Sequence, residues 1–442
     1  MDKARADRMS RREFIRRGMR FAGLTGIARP WASAATRTPS SRSVRTPRPI
    51  SPLAEPSPDS ASTGFFGAQT HFGQFRSGID ELLGLVKNAG IGWIRDEVYW
   101  SQVEKEKGIF EFPPAYDQYL KAAQELGIRV LLILDFGNVL YTGSEKGGPA
   151  AEPARLAFAR YCAAVVKRYR LLGVQHYEIW NEPNASMFWR PQPNPEDYAA
   201  LLETAYRACK EADPGSTVLG CSTAGTDLDF VGGVFAAGGG RLMDAVSFHP
   251  YCQPTAPEKK LWTDISRLKA IAAGKPLWIT EFGYPTHTGP GGVDEETQAN
   301  YFVRAFLLAR ASGSVERMFW YDFQNDGDDP DEGEFNFGLV RMDKTPKPAY
   351  GACKTMISLV GGLAPAELKV IGNTYVLRFG EGPGALTAVW RLGGSESVQI
   401  PCPGGQYRVF ERDGESRSVE TTEVSLEVTA SEAPRYIAPL VR

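Results

Sequence analysis

From Gly64 onward the chain alternates short apolar runs with amphipathic segments, the pattern of repeated strand–helix units around a parallel sheet. Eight runs read as strands: Phe66 to His71, Ile91 to Asp96, Val130 to Phe136, Tyr177 to Asn181, Thr217 to Cys221, Ala245 to His249, Leu277 to Glu281 and Arg317 to Tyr321. Helices fill the gaps at 80–87, 114–126, 152–169, 195–212, 262–273, 295–311 and 348–359. In the third, Phe158, Tyr161, Cys162, Val165, Val166 and Tyr169 recur at helical spacing and define one buried face. The stretch 229–243, with three consecutive glycines, predicts only a weak helix. Eight such units imply a closed (β/α)8 TIM barrel of the α/β class. A doubly wound nucleotide-binding sheet would want a Gly-rich fingerprint after its first strand, and none is there.

Past Gly362 the texture changes to short alternating segments between Gly, Asn and Asp turns: 368–371, 374–379, 385–390, 397–400, 407–410 and 424–428. These predict a C-terminal all-β sandwich over 363–442. Before the barrel, residues 35–63 are dense in Pro, Ser and Thr and cannot bury enough apolar surface to fold, so they form a linker or stalk. The barrel is accordingly expected over 64–362.

Composition supports a large core, with 43% hydrophobic and 23% charged residues. The net charge of −2 conceals an asymmetry: Lys3 and twelve arginines face three acids within residues 1–50, so the rest of the chain is acidic. An acidic folded body disfavours nucleic acid as a partner, because phosphate contacts need clustered Lys and Arg. The six cysteines are widely spaced without C-x-x-C pairs, which defines neither a zinc site nor a disulfide framework. One disulfide remains open.

Residues 1–34 resemble a twin-arginine export signal. Ser10-Arg11-Arg12-Glu13-Phe14-Ile15-Arg16 is followed by a short apolar stretch, 21–28, and by Ala32-Ser33-Ala34 as a cleavage pattern. That apolar stretch is too short to span a bilayer, so a periplasmic or extracellular protein with no stable membrane span is expected.

Two predicted strands end in glutamate: Trp180-Asn181-Glu182-Pro183-Asn184 at the fourth and Ile279-Thr280-Glu281-Phe282-Gly283 at the seventh. Retaining hydrolysis of a glycosidic bond needs two carboxylates about 5–5.5 Å apart, one protonated and one ionised. The pair of motifs resembles clan A glycoside hydrolases, nearest in kind to families 39 and 5, which include xylosidases and enzymes that cleave bacterial exopolysaccharide. The resemblance covers the barrel. It implies Glu182 as general acid and base, with a pKa raised by burial and by its neighbour, and Glu281 as nucleophile. It further implies Asn181 on the sugar 2-OH, Arg95 holding the nucleophile ionised, and Tyr251 donating to it. His249 and His71 would bind sugar hydroxyls, and Trp320 would be the stacking platform under the reacting sugar.

Phe188, Trp189, Tyr99 and Trp100 are further subsite candidates, and the acidic stretch 326–334 lacks calcium-loop spacing and reads as solvated. No metal and no cofactor are expected, and the partner is a polysaccharide or oligosaccharide. A transglycosylase on the same scaffold is the enzymatic alternative. A non-catalytic carbohydrate-binding envelope protein is the other, although such a protein would be expected to have lost one of the two carboxylates.

Overall fold

The computed structural model describes residues 64–74 and 77–440; the export signal and the linker expected over 1–63 lie outside the described residues. Eight parallel strands close into a barrel in chain order: β1 (Phe66–Gln69), β2 (Trp93–Tyr99), β3 (Arg129–Asp135), β4 (His176–Ile179), β5 (Thr217–Ala224), β6 (Ala245–His249), β7 (Leu277–Phe282) and β8 (Val315–Trp320). β1 pairs with both β2 and β8, which completes the ring.

Eight helices surround it: α1 (Ile79–Asn88), α2 (Pro114–Glu125), α3 (Glu152–Tyr169), α4 (Pro195–Ala212), α5 (Leu228–Ala236), α6 (Leu261–Ile271), α7 (Glu295–Ala311) and α8 (Pro348–Val360). Their starts follow local chemistry. Proline stands in the first turn of α2, α3, α4 and α8, where its missing N–H costs nothing. Asn194 caps α4 by accepting from Asp197 N at 2.8 Å, and Asp294 caps α7 from Thr297 N at 2.7 Å. Of the stretch 229–243 expected to be weakly helical, residues up to Ala236 belong to α5, which includes Gly232 and Gly233, while the three consecutive glycines 238–240 lie beyond its end. Asp227 caps it at Phe230 N, and Phe230, Val231 and Val234 are buried under it, so capping and burial override the low propensity.

Strand alternation sorts each β residue to the helix layer or to the barrel interior. Trp93, Leu131, Leu219, Ala245, Trp278 and Phe319 form a closed apolar layer at the N-terminal end of the interior. The guanidinium groups of Arg129 and Arg317 lie 4.6 and 4.8 Å from the Trp93 ring, and His176 packs edge-on to the same ring. This end is sealed, so chemistry is confined to the opposite mouth.

After α8 the chain forms an antiparallel six-stranded sheet in the order β14 (Ser416–Thr421), β13 (Gly405–Phe410), β16 (Arg435–Pro439), β11 (Leu386–Arg391), β10 (Thr374–Phe379) and β9 (Pro365–Ile371). A second sheet pairs β12 (Glu396–Pro401) with β15 (Ser425–Ala430). β11 shows why the two layers stack. Leu386, Ala388 and Trp390 join the barrel's own core, while Val389 on the other face joins Ile400, Tyr407, Val409, Leu426 and Val428 between the sheets. The larger sheet is therefore covered on both faces, one by the barrel helices and one by the small sheet. Among the described residues all six cysteines are free thiols, five of them buried, and no helix is long and apolar enough to cross a membrane.

Burial, with Arg317 and Arg129 close by, pushes the His176 imidazole down to about 4. A folded value below the unfolded one of about 6.5 favours the neutral ring in the fold, so its contribution is complete above 6.5 and is lost as pH falls towards 4. We expect urea-unfolding stability to fall across that window, and His176→Gln to remove up to about 3 kcal/mol of the fall. An unchanged pH dependence in the variant would refute the assignment.

Candidate active site

The mouth of the barrel is organised from beneath by Arg95, on the interior face of β2 and fully buried. All five of its donors are engaged. Nε reaches Glu178 Oε2 at 2.7 Å, and Nη1 reaches Gln69 Oε1 at 2.7 Å and Glu281 Oε1 at 2.5 Å. Nη2 reaches Asn181 Oδ1 at 3.0 Å and Glu178 Oε2 at 2.6 Å. Burial opposes the guanidinium charge, but Glu178 and Glu281 more than offset it and hold Arg95 above its ordinary range. Glu178, a charged residue in the middle of β4, was missing from the sequence-derived set. Its place on the interior face, two residues after His176, is the signal that identifies it.

Glu281 is fixed at both oxygens, Oε1 by Arg95 and Oε2 by the Tyr251 hydroxyl at 3.0 Å. Alternation along β7 turns Trp278 and Thr280 inward, and a slip in the β7–β8 register between Ile279 and Phe282 lets Glu281 face the mouth as well. Gly283 follows because a Cβ there would lie 1.9 Å from the carbonyl oxygen of Tyr321.

Glu182 is delivered differently. Trp180 and Glu182 both have left-handed backbone, with φ of 71° and 49°, which swings the chain over the mouth after β4. Such conformations cost of order 1–3 kcal/mol each and persist only where neighbours over-determine them. Here Trp180 Nε1 donates to Phe188 O, Glu182 N donates to Ser222 O at 2.9 Å, and Asn184 bridges to Ala224 and Asp227. Ser222 sits in a bulge of β5, itself left-handed at Cys221 and Ser222.

His249 lies between the two carboxylates. Nδ1 is 2.9 Å from Glu182 Oε1 and 3.7 Å from Glu281 Oε2, and Nε2 meets Thr280 Oγ1 at 3.1 Å and Ser222 Oγ at 3.3 Å. Oxygen atoms of Glu182 and Glu281 lie within 4.8 Å of one another, on strands that end at the same mouth. So close an approach fits the roughly 5–5.5 Å carboxyl spacing of a double-displacement site better than the roughly 6.5–9.5 Å of an inverting one.

The structure brings together Glu182, Glu281, Asn181, Arg95, His249, Tyr251 and His71. Two expectations change. First, Trp320 is not at the mouth. Interior residues of β8 run Arg317 and Phe319, so Trp320 faces the helices, where it packs on Phe302 with ring centroids 4.9 Å apart and donates Nε1 to Phe337 O. Tyr321, one residue on, is the inward ring, edge-on to His71 and Tyr251. Second, His249 is fully buried under Glu182, with both nitrogens occupied, so it orients the carboxyl rather than a sugar hydroxyl. Arg95 contacts Glu281 and Asn181 from beneath, the position expected of a residue that pairs with the strand-seven carboxylate.

The subsite candidates divide as well. Tyr99 and Phe188 stack on Phe136, with centroids 6.2 and 5.6 Å apart, and form an aromatic wall, whereas Trp100 and Trp189 are core residues. The acidic stretch 326–334 does not simply point to solvent. It folds across the β7–α7 loop through Thr288 N to Pro330 O and Thr286 N to Asn336 O, and brings Glu334 to the Tyr321 hydroxyl at 3.3 Å. Asp322 and Asp326 place oxygens 3.6 and 3.7 Å from His71 Nε2, a spacing at which these three side chains could share a cation.

A closed barrel whose fourth and seventh strands present paired glutamates at one mouth defines the class of clan A glycoside hydrolases. The model for "Cellulase (glycosyl hydrolase family 5)" matches residues 57–325, more than half of the chain, and the chain belongs to that family. A beta-xylosidase from Geobacillus stearothermophilus is 26% identical over 280 residues, 55% of this chain and 54% of that protein, so the chain spans about half of that relative's length. A family 39 glycoside hydrolase from the gut symbiont Bacteroides cellulosilyticus WH2 superposes with a TM-score of 0.75 at 27% identity, covering 86% of this chain and 82% of the other. A monomeric beta-xylosidase from Caulobacter crescentus CB15 shares the fold, with a TM-score of 0.62 at 19% identity over 86% and 97% of the two chains.

Arg95→Met would leave Glu178 and Glu281 as buried carboxylates without their counter-charge. We expect a loss of about 3–5 kcal/mol in urea unfolding at neutral pH. A loss below about 1 kcal/mol, the level of an exposed ion pair, would show that the network is not what stabilises the mouth.

Proposed function

We propose that this chain is a retaining glycoside hydrolase that cleaves O-glycosidic bonds of an oligosaccharide or polysaccharide, xylosidase-like or exopolysaccharide-cleaving, by a two-glutamate double displacement. The single observation that carries the reading is the approach of the Glu182 and Glu281 oxygens to within 4.8 Å across one barrel mouth. The named beta-xylosidase relative supports the substrate class.

In the first step Glu281, immobilised by Arg95 and Tyr251, attacks the anomeric carbon while Glu182 gives its proton to the departing glycosidic oxygen. The C–O bond to the leaving group breaks as the glycosyl ester forms. In the second step Glu182 takes a proton from water, which attacks the same carbon and releases Glu281 with net retention. Arg95 accounts for the orientation of Asn181: with Oδ1 held by Nη2, the amide Nδ2 is the group left to donate to the sugar 2-OH. His249 keeps the Glu182 carboxyl aimed at the leaving oxygen, and Tyr321 supplies the apolar ring face beside it.

Glu281→Ala should lower turnover of aryl glycosides by at least about 10⁴-fold, with azide restoring it and yielding a glycosyl azide of inverted configuration. Full activity in that variant would end the proposal. Glu182→Ala should harm substrates with poor leaving groups far more than activated aryl glycosides; equal losses on both would exclude an acid role.

We further propose that the protein is exported folded by the twin-arginine route to the periplasm or beyond, on the strength of Ser10 to Arg16, the apolar stretch after it and Ala32-Ser33-Ala34. Replacing Arg11 and Arg12 with lysine should retain it in the cytoplasm on fractionation, and continued export would remove the targeting claim.

A further inference from the structure

We infer that Glu258 is a positioning residue for the reaction, and that the C-terminal sandwich, through Trp390, is a working part of the active site; the inference rests on the two-glutamate reading above. The segment after β6 carries Tyr251, whose hydroxyl fixes Glu281, and continues through 252–256 into a short helical turn, Pro257–Lys259, that contains Glu258. Tyr251 is thus only as well placed as this segment.

The segment is tied down at two places. Near its start, the Tyr284 hydroxyl donates to Thr255 O at 2.7 Å and lies 3.0 Å from Cys252 Sγ. At its end, Glu258 is fully buried and takes Arg304 of α7 in a bidentate pair, Nε to Oε1 and Nη2 to Oε2, both 2.7 Å. The third donor comes from outside the barrel: Trp390 Nε1, on β11 of the sandwich, reaches Glu258 Oε1 at 2.8 Å.

The two ties are mechanically one. The Arg304 guanidinium lies 5.0 Å from the Tyr301 ring, and Tyr301 packs on Tyr284 with centroids 4.8 Å apart. On the other side, the Trp390 ring is stacked on Tyr375 at 5.2 Å and an interplanar angle of 11°. The path from the sandwich to Glu281 thus runs from Trp390 to Glu258, along the segment anchored at Thr255 O, and on to the Tyr251 hydroxyl. A buried carboxylate tolerates little rearrangement, since each donor removed leaves a desolvated oxygen short of a partner. Removing the indole N–H should loosen Glu258, then the segment, then the hydroxyl that holds Glu281.

Trp390→Phe removes the donor and keeps an aromatic ring on Tyr375. Expected is a fall in kcat of about tenfold with KM changed less than twofold. The double variant Tyr251→Phe/Trp390→Phe should be no slower than Tyr251→Phe alone, because both act through one hydroxyl. Arg412→Ala is the control. It cuts another contact between sandwich and barrel, the one to Glu296 and Asn300, and should lower the unfolding midpoint without touching kcat. Amide hydrogen exchange of peptides covering 250–260 reads the same event without turnover, with at least tenfold faster exchange in Trp390→Phe and none of this in Arg412→Ala.

Wild-type kcat in Trp390→Phe, additive losses in the double variant, or unchanged exchange over 250–260 would each overturn the inference. A wild-type protein inactive on every glycoside would instead sink the hydrolase reading, and the exchange measurement would still decide whether Trp390 fixes the segment.

Discussion

The arrangement of the mouth depends on one buried cation. Arg95 has five N–H donors in a fixed plane, and four different side chains consume all of them. Those side chains come from β1, β4, the turn after β4 and β7, so one guanidinium sets the relative position of strands that are far apart in sequence. Lysine could not take its place. A compact ammonium lacks the fork that meets Glu178, Asn181 and Glu281 at once, and in such a buried place it would tend to shed its proton.

Electrostatics and packing divide the barrel interior between them. At the closed end, aromatic rings with two arginines stacked on them fill the interior, and Glu316 takes the Trp278 indole N–H at 2.9 Å and pairs with Arg317. Above that layer the interior becomes ionic, and each charge is oriented by a neighbour: Arg95 by Glu178, Glu281 by Arg95 and Tyr251, Glu182 by His249. The low dielectric that makes such groups costly to bury also makes their mutual orientation firm. Preorganisation of this kind is the form in which a protein contributes to bond cleavage before any substrate arrives.

Much of this was legible in the sequence. The eight strand–helix units follow from hydrophobic period, and Glu182 and Glu281 stand out as carboxylates closing apolar strands, whereas Arg95, His249 and Tyr251 come only with the family resemblance that those two motifs carry. What failed to show is instructive. The resemblance points to Trp320 as the stacking platform, whereas counting alternation from Phe319 selects Tyr321. The bulge at Ser222, the left-handed turn at Trp180 and the register slip before Phe282 break the strand period locally, and no pattern of apolar positions encodes them. Likewise the stretch 326–334 is acidic enough to suggest solvent, and only its backbone bonds to the neighbouring loop bring Glu334 inward. In α5, a single cap and three apolar residues outweighed Gly232 and Gly233.

The left-handed pair at Trp180 and Glu182 sets the position of the Glu182 carboxyl at the expense of backbone comfort. Trp180 is held there by its buried ring, packed on Trp189, but directed evolution that screened this protein only for heat tolerance would be pulled toward glycine or asparagine at 182, since either residue relaxes the chain there. Glycine at 182 would make a sturdier protein that lacks one of the two carboxyls at the mouth. Thermal selection on this scaffold has to be coupled to turnover, because the residue most worth keeping is one that the fold alone would rather exchange.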